Sequence, residues 1–130
     1  MEETVVLRST INEKYLDAEG ILRIKVIEGA HMTVAALEED ARLNIELTGD
    51  KKALALYDAR GFFTIEPKAR EYLKSGIIDP TRIATAVLTN RLAVRILANF
   101  FMRFNKPKTP MKMFSHEEAA LKWLRSFRRE

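Results

Sequence analysis

The residues best placed to do chemistry fall within Lys51 to Arg70, KKALALYDARGFFTIEPKAR. Asp58 and Glu66 are carboxylates of its loop, and a close pair of carboxylates is equipment for general acid–base work. No histidine lies near them in sequence to share a proton, so the plainer reading is a loop cap and a solvated charge. Thr64 is the one hydroxyl in the turn that Gly61 opens. Asp58, Gly61, Thr64 and Glu66 together form the candidate functional loop, and no residue is assigned as catalytic. His31 follows a strand, where it can cap the strand or bond a carbonyl. His116 is explained by its place at a helix start. With two histidines and no cysteine, a classical zinc site and thiolate chemistry are both set aside. No glycine-rich phosphate-binding pattern occurs. The expectation is a protein with no cofactor, no metal and no enzymatic reaction.

The loop must be held by a fold. A chain of 130 residues, 47% hydrophobic and 31% charged, has the size and composition of one soluble domain spanning 1–130. No apolar run approaches the ~20 residues that span a bilayer. The Met-Glu-Glu-Thr start is acidic where a signal peptide is basic, so a cytoplasmic protein is expected. Residues 1–50 carry five Lys/Arg and eleven Asp/Glu, whereas 51–130 carry seventeen and seven. Either a basic face meets nucleic acid, anionic lipid or an acidic partner, or two oppositely charged halves of one domain neutralise each other.

Ala53-Leu54-Ala55-Leu56-Tyr57 is too short for a helix and fits a central strand covered on both faces. Thr4 to Ile11 and Ile21 to Ile27 read as an antiparallel hairpin around the turn Asp17 to Gly20. Thr33 is a candidate N-cap and Gly49 a candidate C-cap for a helix whose core stripe is Val34, Leu37, Ala41 and Ile45. A second helix is expected from about Ile65 to Ser75, capped by Thr64. Ile83 to Leu88 is another buried strand, and Asn90 to Phe104 a third helix. Met111 to Phe114 is a short edge strand. Ser115 and Glu118 form a capping box that opens the last helix, striped by Ala120, Trp123, Leu124 and Phe127. The order β-β-α-β-α-β-α-β-α predicts an α/β fold: a five-stranded mixed sheet with four helices.

These segments resemble the STAS-type domains. The hairpin, ALALYDARG, IATAVLTN followed by RLAVRILANFFMRFN, and KPKTPMKMFSHEEAALKWL carry the resemblance, from about Thr4 to Phe127. It implies the SpoIIAA-like fold of sporulation anti-sigma-factor antagonists and the related SEC14-like lipid-binding group. Those antagonists carry a phosphorylatable Ser after a strand ending in Asp. Here Asp58 matches the strand-end Asp, but the turn Gly61 to Pro67 holds no Asp-Ser pair, and Thr64 is the only hydroxyl in place. The resemblance implies a cytoplasmic regulatory or protein-interaction module with a regulatory protein partner. The alternative it implies is a small apolar-ligand carrier or sensor.

The third helix has apolar residues on more of its circumference than a surface helix needs. Leu97, Phe100, Phe101 and Phe104 are candidates for a homodimer interface or an apolar groove. Lys106, Lys108, Lys112, Lys122, Arg125, Arg128 and Arg129 give the carboxyl end a basic surface. The aromatic spacing of a base-stacking platform is absent, so nucleic acid is not the expected partner.

Overall fold

The computed structural model describes residues 4–49, 51–74, 82–105 and 109–128, apart from the side chains at 73, 74, 97 and 100–105. The strands are β1 (Val6–Arg8), β2 (Asn12–Leu16), β3 (Ile21–Val26), β4 (Ala30–Met32), β5 (Ala53–Asp58), β6 (Phe63–Ile65), β7 (Arg82–Leu88) and β8 (Met111–Phe114). The helices are α1 (Val34–Thr48), α2 (Pro67–Lys74), α3 (Leu92–Asn105) and α4 (Glu117–Arg125). The main sheet runs β1-β2-β3-β5-β7-β8. Its first three strands are antiparallel, and β3, β5, β7 and β8 pair in parallel. The α/β fold with four helices is as expected, with six strands in this sheet where five were anticipated.

The extra strand comes from the amino terminus. The stretch 4–11 is not one strand: β1 stops at Arg8, and β2 is the true hairpin partner of β3. Ser9 makes the break, its Oγ accepting the backbone N–H groups of Ile11 and Asn12 at 3.1 Å. β2 does not look like a strand in sequence because its inward residues, Asn12 and Lys14, are polar and fully buried.

Those two side chains meet α1. Thr33 caps this helix as expected, its Oγ1 accepting the Ala36 N–H at 3.0 Å, and Gly49 closes it with φ of 65°. The face it buries is not the expected one. Ile45 is exposed, and the buried row is Ala36, Asp40, Asn44 and Thr48. The Lys14 ammonium donates to the Asp40 carboxylate and to Asn44 Oδ1 at 2.6 Å. Asn12 Nδ2 donates to the same carboxylate at 2.8 Å. Helix rotation is therefore set by where a buried cation finds acceptors, and the apolar stripe follows at the margin. Burial, followed by the Asp40 charge, holds the Tyr57 hydroxyl well above its ordinary pKa of 10.0.

The opposite face is apolar. Ile21, Leu54, Leu56, Ala84, Ala86 and Leu88 pack against Ala120, Leu121 and Leu124 of α4. Trp123 seals the rim, edge-on to Phe127 at 4.9 Å and tilted to Phe114 at 5.7 Å. The capping box expected at Ser115 is not made. His116 stands at the N-cap with no side-chain bond, and Ser115 Oγ accepts from Arg95 Nη2 at 2.7 Å. Glu117 and Glu118 still lie in the first turn and Lys122 and Arg125 in the last, which suits the helix dipole.

Replacing Asp40 by Ala should destabilise the protein by about 3–5 kcal/mol, because it strands a buried ammonium. Equilibrium urea unfolding reads the change. A Lys14→Met, Asp40→Leu double variant should recover most of the loss. A single-variant effect below about 1 kcal/mol would mean that the cation reaches water.

Candidate functional site

β3 and β5 run parallel, so their carboxyl ends open on the same edge of the sheet, where such sheets place their sites. A cleft of about 390 Å³ lies there, lined by Lys25, Val26, Glu28, Asp58, Arg60 and Gly61. Asp58 is the last residue of β5 and faces Lys25 across the ladder. Its carboxylate accepts the Arg60 backbone N–H at 3.1 Å. It also takes Arg60 Nε at 3.0 Å and Nη2 at 2.8 Å, a two-pronged ion pair. Burial pushes this carboxyl up, but the Arg60 hydrogen bonds and charge, with Lys25 behind them, hold it below its ordinary value of 3.8.

The loop after Asp58 is clamped from three sides. Ala59 N–H donates to Leu88 O at 2.8 Å, tying it to β7. Glu28 Oε2 accepts the Phe62 N–H at 3.1 Å, and Gly29 N–H donates to Phe62 O at 2.8 Å. Arg91 Nη1 donates to Gly61 O at 3.2 Å while its guanidinium lies 4.9 Å from the Phe62 ring centre. A Cβ on Gly61 would sit 3.3 Å from Glu28 Oε1, so glycine lets that carboxylate lie against the loop.

Downstream, the residues expected at a helix start do something else. Thr64 lies in β6, not at the cap of α2, and the helix begins at Pro67. Proline suits the first helical position because its fixed φ is helical and no N–H is lost there. β6 pairs in parallel with β4 as a separate two-stranded sheet, Ala30 opposite Phe63, His31 opposite Thr64 and Met32 opposite Ile65. His31 Nδ1 lies 2.7 Å from Thr64 Oγ1. Glu66 Oε1 reaches across to accept the Val34 N–H of α1 at 3.3 Å. Asp58 and Glu66 are therefore not a carboxylate pair: one belongs to the Arg60 clamp and the other to the amino end of α1.

Of the expected loop, Asp58 and Gly61 share the cleft, whereas Thr64 and Glu66 sit on the β4–β6 side. Glu28, Arg60 and Arg91 complete the site, and sequence reasoning missed all three. The Asp58/Arg60 spacing across a tight turn was the available signal. The side chains of Leu97, Phe100, Phe101 and Phe104 lie outside the described residues. On the same helix, Leu92 is 71% exposed and Ile96, one turn on, is 60% exposed. The basic carboxyl end is partly neutralised. Arg125 donates to Glu19 at 2.9 and 2.7 Å, and Arg128 pairs with it at 3.3 Å. The Arg125 hydrogen bond holds the Glu19 carboxyl below its ordinary value. Lys106, Lys108 and Arg129 lie outside the described residues.

A depressed Asp58 pKa adds stability above the ordinary carboxylate range, and that contribution is lost as pH falls through the folded value. Arg60→Ala removes the guanidinium hydrogen bonds and charge while the residue-60 N–H and Lys25 remain. The Asp58 carboxyl carbon, followed by NMR, should then titrate higher than in the unsubstituted protein, where it lies below 3.8. Equal titration points in the two proteins would show that the clamp is not formed in solution.

A family model described as "Domain of unknown function (DUF7793)" matches residues 15–128. No curated protein matches the chain significantly. Among solved structures, the chain is similar to an uncharacterised protein of the DUF3478 family from Shewanella loihica PV-4, described as having a SpoIIAA-like fold. The identity is 19%, covering 94% of this chain and 92% of that one, with a TM-score of 0.56. The fold is thus the expected SpoIIAA-like one. A protein of unknown function from Arthrobacter sp. FB24 shares 27% identity over 85% of this chain and 90% of its own, with a TM-score of 0.30.

Proposed function

The chain belongs to the DUF7793 family, a domain of unknown function, and on that premise we propose that it is a non-enzymatic regulatory module that works by binding another protein. The observation that carries this reading is the apolar row on α3. Leu92 and Ile96 are large, neighbouring and mostly exposed, and contiguous exposed apolar surface marks contact sites. Phe62, also exposed, presents a ring on the loop that Arg91 ties to the start of the same helix.

Catalysis is disfavoured by where the reactive side chains are committed. Asp58 is engaged by Arg60, Glu66 by α1, and Thr64 by His31. A general base needs its lone pair free for substrate. The pairing of Arg125 and Arg128 with Glu19, which offsets one of their two charges, weighs against nucleic acid. Among the described residues, no helix is long and apolar enough to cross a membrane. The module is read as cytoplasmic, homodimeric and free of cofactor. Thr64 is read as a structural partner of His31, not as a phosphoswitch.

The second reading is a carrier or sensor of a small apolar molecule, and the same exposed row on α3 favours it. Native mass spectrometry of protein purified gently from its host separates the two. The interaction module is expected to show no added mass, and a mass lost on organic extraction would replace it with the carrier. A Leu92→Glu, Ile96→Glu variant should keep its thermal midpoint, since exposed substitutions usually change stability by about 0.5 kcal/mol or less. Its binding partner or its retained molecule should be lost.

A further inference from the structure

β1 is an edge of the main sheet. Proteins usually protect such edges with charge, proline or bulges, because an open ladder recruits another strand. The other edge follows that rule: β8 begins after Pro110 and carries Lys112. β1 carries its one charge at its end, where Arg8 pairs with Glu13 of β2 at 3.2 Å. The residues before it, 4–7, read Thr-Val-Val-Leu, with no charge, proline or glycine. Val6 of the strand is 55% exposed and Val5, just before it, 62%.

The backbone parity of the edge follows from the hairpin. Ser9 N–H donates to Asn12 O at 2.8 Å, which makes 9–12 a hydrogen-bonded pair. Antiparallel pairs alternate, so 8–13 and 6–15 are non-bonded pairs. The N–H and C=O of Val6 and Arg8, and of Thr4 where the strand is continued, therefore face away from β2. Those outward groups are symmetric about Val6. An antiparallel copy placed against this edge sets Val6 opposite its counterpart and Arg8 opposite Thr4. Every outward N–H then meets an outward C=O, and no like charges stand opposite.

The charges favour the same arrangement. Arg8 ends the strand and the uncharged Thr4 lies before it. Antiparallel pairing sets each Arg8 beside the Thr4 of the other copy, whereas in-register parallel pairing sets Arg8 against Arg8. We propose that the edge of β1 is the self-association surface of this protein, joining two copies through Val6 into one continuous antiparallel sheet. The proposal rests on the homodimer reading and moves the interface from α3 to β1, which leaves the α3 face free for a different partner.

Sedimentation velocity on the full chain across a concentration series tests it, with hydrogen exchange at the Val6 and Arg8 amides as a second readout. The unsubstituted protein should approach twice its 14.9 kDa, and both amides should exchange more slowly as the dimer fills. Val6→Pro removes an N–H that the monomer does not use, and Val6→Lys adds an edge charge. Each should weaken dimerisation at least roughly ten-fold while the far-UV spectrum and thermal midpoint hold. A dimer that survives both substitutions overturns the β1 interface and leaves self-association standing. A monomer at every concentration overturns both.

Discussion

Everything on one side of the sheet depends on a buried ammonium. Lys14 is fully enclosed, and a cation out of water must be surrounded by acceptors. Asp40 and Asn44 of α1 supply them. The pair need not add net stability, since burial penalises both charges. What it does is admit a single rotation and a single height of α1 over β2, because no other setting brings both acceptors to the ammonium. α1 fixes the exit of β4 through Thr33, and Glu66 reaches the same helix end. The geometry of the loop edge is thus anchored to a polar contact on the sheet-facing side of the helix.

The two faces of the sheet are built on different principles. The α4 face is small and large apolar side chains in alternation, Ala84, Ala86 and Ala120 among Leu54, Leu56 and Leu124. The α1 face mixes apolar clusters with the Lys14 network. That difference explains which parts of the fold were legible. β5 and β7 are continuous apolar runs and announce themselves. The caps Thr33 and Gly49 have a local mechanism, and both are where local chemistry puts them. β2 and the buried row of α1 are polar, so a rule that sends apolar residues inward assigns them to solvent. Two errors, a missed strand and a misrotated helix, have this one cause.

The candidate site was half legible for a related reason. The position of a loop at the end of a parallel strand follows from topology, and Asp58 and Gly61 are found there. The partners of that loop come from β3, β7 and the start of α3, at sequence separations no local pattern reports. Glu28 holds Phe62 from 34 residues away and Arg91 holds Gly61 from 30. Thr64 and Glu66 were misplaced because β6 is three residues long and only Glu66 separates it from Pro67. A hydroxyl three residues ahead of a proline reads as a helix cap unless the strand it pairs with is known.

That short pairing of β4 with β6 limits how this edge can change over evolution. The loops leaving β3 and β5 are joined by a ladder and by the His31–Thr64 contact, so neither has an independent length. A residue inserted into one would slip its register against the other and misdirect Glu66 from the end of α1. Diversity within such a family should therefore gather in the side chains of these loops, or in connections elsewhere, while the spacing from β3 to α1 and from β5 to α2 stays constant.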